Sequence, residues 1–116
     1  MARRLGMIVC PMLEDEAIYN LKHDPEEKRI FLVQTPFLDT IIPKLRQHNV
    51  EYTKISQLDF YSGRFDSDVY TVYIWVMFMG LHEDTDMLKF EVSNQIVMMK
   101  DRVDALLLYY GRCGRA

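Results

Sequence analysis

Six consecutive residues near the end of the chain, Ala-Leu-Leu-Leu-Tyr-Tyr at positions 105–110, carry no charge and show no alternation of polar and apolar side chains. Such a run is typical of a strand that is buried on both faces, which requires a parallel sheet covered by helices on both sides. We therefore predict that residues 105–110 form a buried strand of an α/β protein, and that the rest of the chain is organised around this strand.

Strand and helix signals alternate along the remainder of the chain. Short apolar or β-branched blocks predict strands at residues 5–10, 28–34, 50–55, 69–76 and 105–110. Apolar residues at helical spacing predict helices at residues 11–22, 35–49 and 84–100. With right-handed crossovers, this order predicts a Rossmann-like three-layer open sheet, mostly parallel, with about five strands and three helices in a single domain over residues 1–116.

The predicted second helix and the segment at residues 56–68 each carry a specific expectation. Thr35, followed by proline, is the expected N-cap of the second helix, and Pro43 inside that helix predicts either a kink or a restart because it has no amide hydrogen to donate. Residues 56–68 have the weakest pattern in the chain and are predicted to be a loop, either a lid, a binding loop or a flexible excursion.

Composition excludes several classes of function. The formal charge is −3 and the 14 basic residues are scattered, which disfavours a nucleic-acid-binding protein. No apolar stretch approaches the ~20 residues of a membrane span. Two cysteines about a hundred positions apart are no disulfide framework, so a cytoplasmic location is expected.

The two cysteines mark the expected site. Cys10 ends the first predicted strand, just after its apolar run, and Cys113 follows the last strand, in the turn Gly111-Arg112-Cys113-Gly114. His82 follows the fourth predicted strand. In open α/β sheets, ligands bind outside the carboxyl ends of the strands, where the winding reverses. If the first strand lies beside the fourth and fifth, these three side chains converge at one edge.

Two thiolates and an imidazole form a partial ligand set for zinc or another transition metal. Cys10, His82 and Cys113 are therefore the candidate metal ligands, and a fourth ligand would be Glu14 or a group outside the chain. Gly111 and Gly114 would let the backbone approach a cofactor closely. The competing interpretation of Cys10 is that it is a small hydrophobic residue of the core.

Three functions are consistent with these residues. The first is binding of a metal or a metal-containing cofactor. The second is a non-catalytic interaction module that needs a C-terminal partner or forms a homo-oligomer through an exposed sheet edge. The third is an enzyme that uses Cys10 as nucleophile or methyl acceptor. Phosphate loops, dinucleotide-binding glycine motifs, paired Cys-x-x-Cys and nucleophile elbows are missing from the sequence.

Three blocks of the sequence resemble a known family. They are Ile-Val-Cys-Pro-Met-Leu-Glu-Asp-Glu at 8–16, Gly-Leu-His at 80–82 and Val-Asp-Ala-Leu-Leu-Leu-Tyr-Tyr-Gly-Arg-Cys-Gly at 103–114. In this order they resemble the N-terminal half of the uncharacterised domain-of-unknown-function family sixteen-thirty-eight, which is common in methanogenic archaea and anaerobic bacteria. That family usually has leucine and asparagine where this chain has Arg112 and Arg115.

The resemblance implies that the chain is cut short relative to the family. It implies that Cys10, His82 and Cys113 belong to one site, with a further thiol supplied by the C-terminal half. Family members often accompany corrinoid-dependent methyl-transfer genes, so corrinoid or methyltransferase proteins are the implied partners. An accessory role in methyl transfer follows from that association alone.

Overall fold

A five-stranded sheet forms the centre of the protein, whose computed structural model describes residues 3–77 and 85–109. The strands are β1 (Arg4–Val9), β2 (Arg29–Val33), β3 (Thr53–Ile55), β4 (Thr71–Val76) and β5 (Ala105–Tyr109). The helices are α1 (Glu14–His23), α2 (Ile41–Gln47), α3 (Gln57–Ser62) and α4 (Thr85–Met99), and a 3₁₀ turn at Pro11–Leu13 precedes α1. The strands lie in the order β3-β2-β4-β1-β5, and every pairing is parallel. The predicted open α/β sheet is confirmed.

Helices cover both faces of the sheet. Because side chains alternate along a strand, Met7 and Val9 of β1 join one apolar cluster and Ile8 joins the other. The first cluster contains side chains of α1 and α2, and the second contains side chains of α3 and α4. The connections that follow the neighbouring strands β1 and β4 therefore leave towards opposite faces. This pair of strands is the point where the winding of the sheet reverses.

The predicted loop at residues 56–68 contains a helix, α3, so that the described chain has four α-helices and not three. Ser56 caps this helix by accepting a hydrogen bond from the Asp59 amide at 3.0 Å. Gly63 ends it in the left-handed conformation, with a φ of 76°. Both end signals are visible in the sequence. The prediction was wrong because only one side chain between them, Phe60, is buried, so the helix has almost no apolar period.

The second helix also begins later than predicted. Thr35 does not cap it, since its hydroxyl oxygen instead accepts a hydrogen bond from the Phe37 amide at 3.2 Å within a turn. The helix starts at Ile41, which places Pro43 in its first turn. Amides in the first turn have no partner inside the helix, so proline costs no hydrogen bond there. Neither expectation for Pro43 is met, because no helix precedes Ile41 in this segment and the helix is neither kinked nor restarted at the proline.

The strand at the C-terminal end of the described chain is not buried on both faces. β5 lies at the edge of the sheet beside β1, and Leu107 and Leu108 remain 43% and 42% exposed. The doubly buried strands are β4, which is buried along its whole length, and the second half of β1. An apolar run identifies a strand, but it does not distinguish a central strand from an apolar edge.

A charged cluster joins two connections to the strands β1 and β4 at the amino edge of the sheet. The Asp66 carboxylate accepts hydrogen bonds from the Tyr73 hydroxyl at 2.6 Å, from Arg102 at 2.8 Å and from Arg4 at 3.0 Å. Arg102 also donates to the Phe60 carbonyl oxygen at 3.0 Å. Burial raises the pKa of Tyr73, and the adjacent Asp66 carboxylate raises it further. The cluster therefore holds the segment between α3 and β4 against the first strand and the end of α4.

Candidate functional site

The carboxyl ends of β1, β4 and β5 lie side by side. Val9, the last residue of β1, pairs with Val76 at the end of β4 and with Tyr109 at the end of β5. The ladder continues one residue further, because the Cys10 amide donates to the Tyr109 carbonyl at 2.7 Å and the Met77 amide donates to the Val9 carbonyl at 2.8 Å. The three segments that follow these strands therefore leave the sheet at one level, where its winding reverses.

Cys10 stands at the centre of this edge. Its side chain is 1% exposed, and its carbonyl oxygen accepts a hydrogen bond from the Leu13 amide at 2.8 Å, which closes the 3₁₀ turn. The first α-helix begins at Glu14, so Cys10 caps the 3₁₀ turn and not the α-helix itself. Since the helix dipole acts mainly within the first turn of an α-helix, its influence on the thiol is weaker than a helix starting at Pro11 would provide.

The predicted site residues that follow β4 and β5 lie outside the described residues. His82 belongs to residues 78–84, and Gly111, Cys113 and Gly114 belong to residues 110–116. The structure fixes only where the chain enters these segments, which is beside Cys10 at the ends of β4 and β5. The adjacency of the three strands, on which the predicted site depends, is confirmed. The convergence of the three side chains stays a prediction.

Glu14, the candidate fourth ligand, is fully buried between two helices. Its Oε2 accepts a hydrogen bond from the Thr40 hydroxyl at 2.7 Å. Its Oε1 lies 3.3 Å from Lys44 Nζ, an ion pair whose geometry falls short of a hydrogen bond. Lys44 Nζ also lies 3.4 Å from Asp15 Oδ1. The carboxylate of Glu14 thus links α1 to α2 on one face of the sheet.

The electrostatics of this pair keep Lys44 charged. Partial burial would by itself lower the pKa of Lys44, but the adjacent carboxylates of Glu14 and Asp15 outweigh it and raise the pKa above its ordinary value. The burial of Glu14 could have been predicted from the sequence. It shares a helical stripe with Ala17, Ile18 and Leu21, all buried, so its side chain had to face the interior.

Replacing Glu14 by glutamine is expected to lower the free energy of unfolding by about 1–2 kcal/mol. The amide retains an oxygen for Thr40, but it places a neutral group against Lys44 and leaves that ammonium without its buried partner. Lys44 is partly exposed and turns to solvent, which limits the loss. Urea unfolding followed by circular dichroism measures the change. Glu16→Gln, in the same helical turn but exposed, is the matched control, and an equal loss there would contradict this role for Glu14.

Among residues 3–77 and 85–109, no three His, Cys, Asp or Glu side chains are grouped so that they could hold a metal ion. Of the candidate ligands only Cys10 and Glu14 lie in those ranges, so the predicted metal site depends on side chains from residues 78–84 and 110–116. Nor does any helix in the described part of the chain have the length and apolar character to cross a membrane.

Comparisons with known proteins add no functional assignment. Neither the protein-family models, nor the curated proteins, nor the solved structures contain a match to this chain. The resemblance of the three sequence blocks therefore stays a prediction, and the fold and the strand-end geometry carry the functional argument.

Proposed function

We propose that the protein binds a metal ion, or a cofactor that contains one, at the carboxyl edge of its sheet. Cys10, Cys113 and His82 are the proposed ligands, and zinc or another transition metal fits a donor set of two sulfurs and one nitrogen. The observation that carries the proposal is the position of β1 between β4 and β5. All three strands end at one level, and each is followed in the sequence by one of the proposed ligands.

Two further features support this location. The edge coincides with the reversal of the winding between β1 and β4, which is where open α/β sheets bind their ligands. Cys10 is also buried to 1% exposure, so a metal ion held by its sulfur would be shielded from bulk water. Glu14 is engaged by Thr40 and Lys44, so we assign the fourth coordination position to a group outside the described residues.

The test is the metal content of protein purified without oxygen. We expect about one metal ion per chain in the natural sequence, and loss of most of it in Cys113→Ser and in Cys10→Ser. His82→Gln is expected to lower metal affinity, whereas His48→Gln, at the end of α2, is the matched histidine control and should retain the metal. Circular dichroism of each variant separates loss of ligand from loss of fold. Near-zero metal in the natural sequence, or undiminished metal in both cysteine variants, would contradict the proposal.

A second candidate function is an interaction module that uses the open edge of β5. Within the described residues no strand pairs with the outer side of β5. The side chains of Leu107 and Leu108 in this edge strand are each more than two-fifths exposed. Edge strands of this kind accept an added strand from a partner. If β5 binds a partner in this way, Leu107→Lys abolishes binding of the partner's strand to β5 and leaves the metal content unchanged. The two functions can therefore be tested separately.

A role in methyl transfer extends the metal proposal. It implies a corrinoid or methyltransferase partner and, as an enzyme, it would require Cys10 to react as a thiolate. Alkylation of Cys10 in the folded protein, measured against pH, tests that role. Reaction only under unfolding conditions would exclude Cys10 as a nucleophile or methyl acceptor.

A further inference from the structure

Helix α4 carries apolar side chains on two opposite faces. Val92 and Met99 are buried against the sheet, with Ile96 packed beside them, and these residues form the inner face. On the far side, Phe90, Val97 and Met98 are 59%, 60% and 52% exposed. A helix that covers a sheet normally presents polar residues to water. The far face of α4 therefore has the composition of a second packing surface.

The exposed apolar residues follow a helical period of their own. Phe90, Asn94, Val97 and Met98 are spaced as i, i+4, i+7 and i+8, which places them on one stripe of the helix. We call these four residues the outer stripe of α4. Three of them are large and apolar, and the one polar member, Asn94, is exposed near the middle. In helix pairs, a single asparagine within an apolar seam fixes the register of the two helices.

Charges at the ends of the helix favour one orientation of a partner helix. Asp86 lies at the start of α4 and Lys100 directly follows its end, about 21 Å away along the axis, and both are exposed. Fourteen positions correspond to nearly four whole turns, so both side chains lie on the same flank of the outer stripe. An antiparallel copy of the helix would bring each Asp86 towards the Lys100 of the other copy, whereas a parallel copy would leave Asp86 and Lys100 at opposite ends of the helix pair.

We propose that the outer stripe of α4 is covered by a second copy of this chain, with the two α4 helices antiparallel about a two-fold axis. Phe90 of each copy then lies towards Val97 and Met98 of the other, so that the aromatic end of one stripe meets the aliphatic end of its partner. The two Asn94 side chains come near the axis, where each amide can donate to and accept from the other. Such an interface is self-complementary, as two-fold symmetry requires.

The test is the molar mass of the full chain by light scattering and analytical ultracentrifugation across a range of concentrations. We expect a reversible monomer–dimer equilibrium in the natural sequence. Val97→Asp should raise the dissociation constant by about tenfold or more, because it places a charge in the apolar seam. Leu58→Asp is the matched control, since Leu58 is 77% exposed on α3, and it should leave the dissociation constant unchanged. A chain that is monomeric at every concentration would overturn the proposal.

The orientation is tested by exchanging charges. Asp86→Lys alone and Lys100→Asp alone should each weaken the dimer, and the double variant should restore it, with the difference shrinking at high salt. A double variant as weak as the single ones would overturn the antiparallel arrangement. Dimerisation that survives Val97→Asp but is lost in Leu107→Asp would assign the interface to the β5 edge and overturn the role of α4.

Discussion

Replacing Phe60 by alanine is expected to lower the free energy of unfolding by about 3–5 kcal/mol. Phe60 is 1% exposed and fills the space between α3 and the sheet. Its ring lies 4.9 Å from the ring of Tyr73 and 6.4 Å from that of Trp75, as measured between centroids. Removal of the ring loses the transfer free energy of an aromatic side chain and leaves a cavity that its rigid aromatic neighbours fill poorly.

The measurement is urea unfolding followed by circular dichroism and by the fluorescence of Trp75, the single tryptophan of the chain. Leu58→Ala removes an apolar side chain from the same short helix, but that side chain is 77% exposed, so its effect should stay within about 0.5 kcal/mol. Equal losses for Phe60→Ala and Leu58→Ala would show that α3 is held by its backbone and not by the buried ring.

The second large effect is expected for Asp66→Asn, which should cost about 2 kcal/mol at neutral pH. The carboxylate of Asp66 accepts bonds from Tyr73, Arg102 and Arg4, and the asparagine amide cannot serve three donors with a single oxygen. Asp68→Asn is the control, because Asp68 is exposed and lies two residues away. Chemical denaturation at neutral pH compares the two variants, and a similar loss in both would contradict this role.

The same carboxylate predicts a pH dependence. Burial alone would raise the pKa of Asp66, but the hydrogen bonds from Tyr73 and Arg102, together with the charges of Arg102, outweigh burial and lower it below its ordinary value. A depressed carboxyl pKa stabilises the fold above the pKa of the unfolded chain, and this contribution is lost as the pH falls through the lower value. The stability difference between the natural protein and Asp66→Asn should therefore shrink below about pH 4. If the difference in unfolding free energy persists in acid, the loss in Asp66→Asn comes from packing and not from the charge of the carboxylate.

Much of the fold could be predicted from the sequence because apolar blocks identify strands irrespective of their place in the sheet. The same blocks do not show whether a strand lies at the centre or at the edge of the sheet. The run at 105–110 is as apolar as β4, yet β5 lies at the edge and β4 at the centre. The missed helix α3 and the late start of α2 have a similar cause. Short helices depend on a cap and one or two contacts, as with Ser56 and Phe60, and not on a long apolar period.

The position of Cys10 in the sheet was predicted better than the contacts of Glu14. Cys10 follows a strand, and the parallel arrangement fixes which edge of the sheet it occupies. The partners of Glu14, by contrast, come from a helix 26 residues further along the chain, and local sequence does not reveal such a meeting. The Asp66 cluster was missed for the same reason, since Arg102 lies 36 residues from it.

The place of β1 in the sheet has a consequence for how the protein is made. Its neighbours are β4 and β5, and both are synthesised long after it. During translation the apolar residues of β1 have no native strand beside them until most of the chain has emerged from the ribosome. Pairing between strands that are far apart in the sequence slows folding, and the apolar residues of β1 stay open to non-native association until it forms.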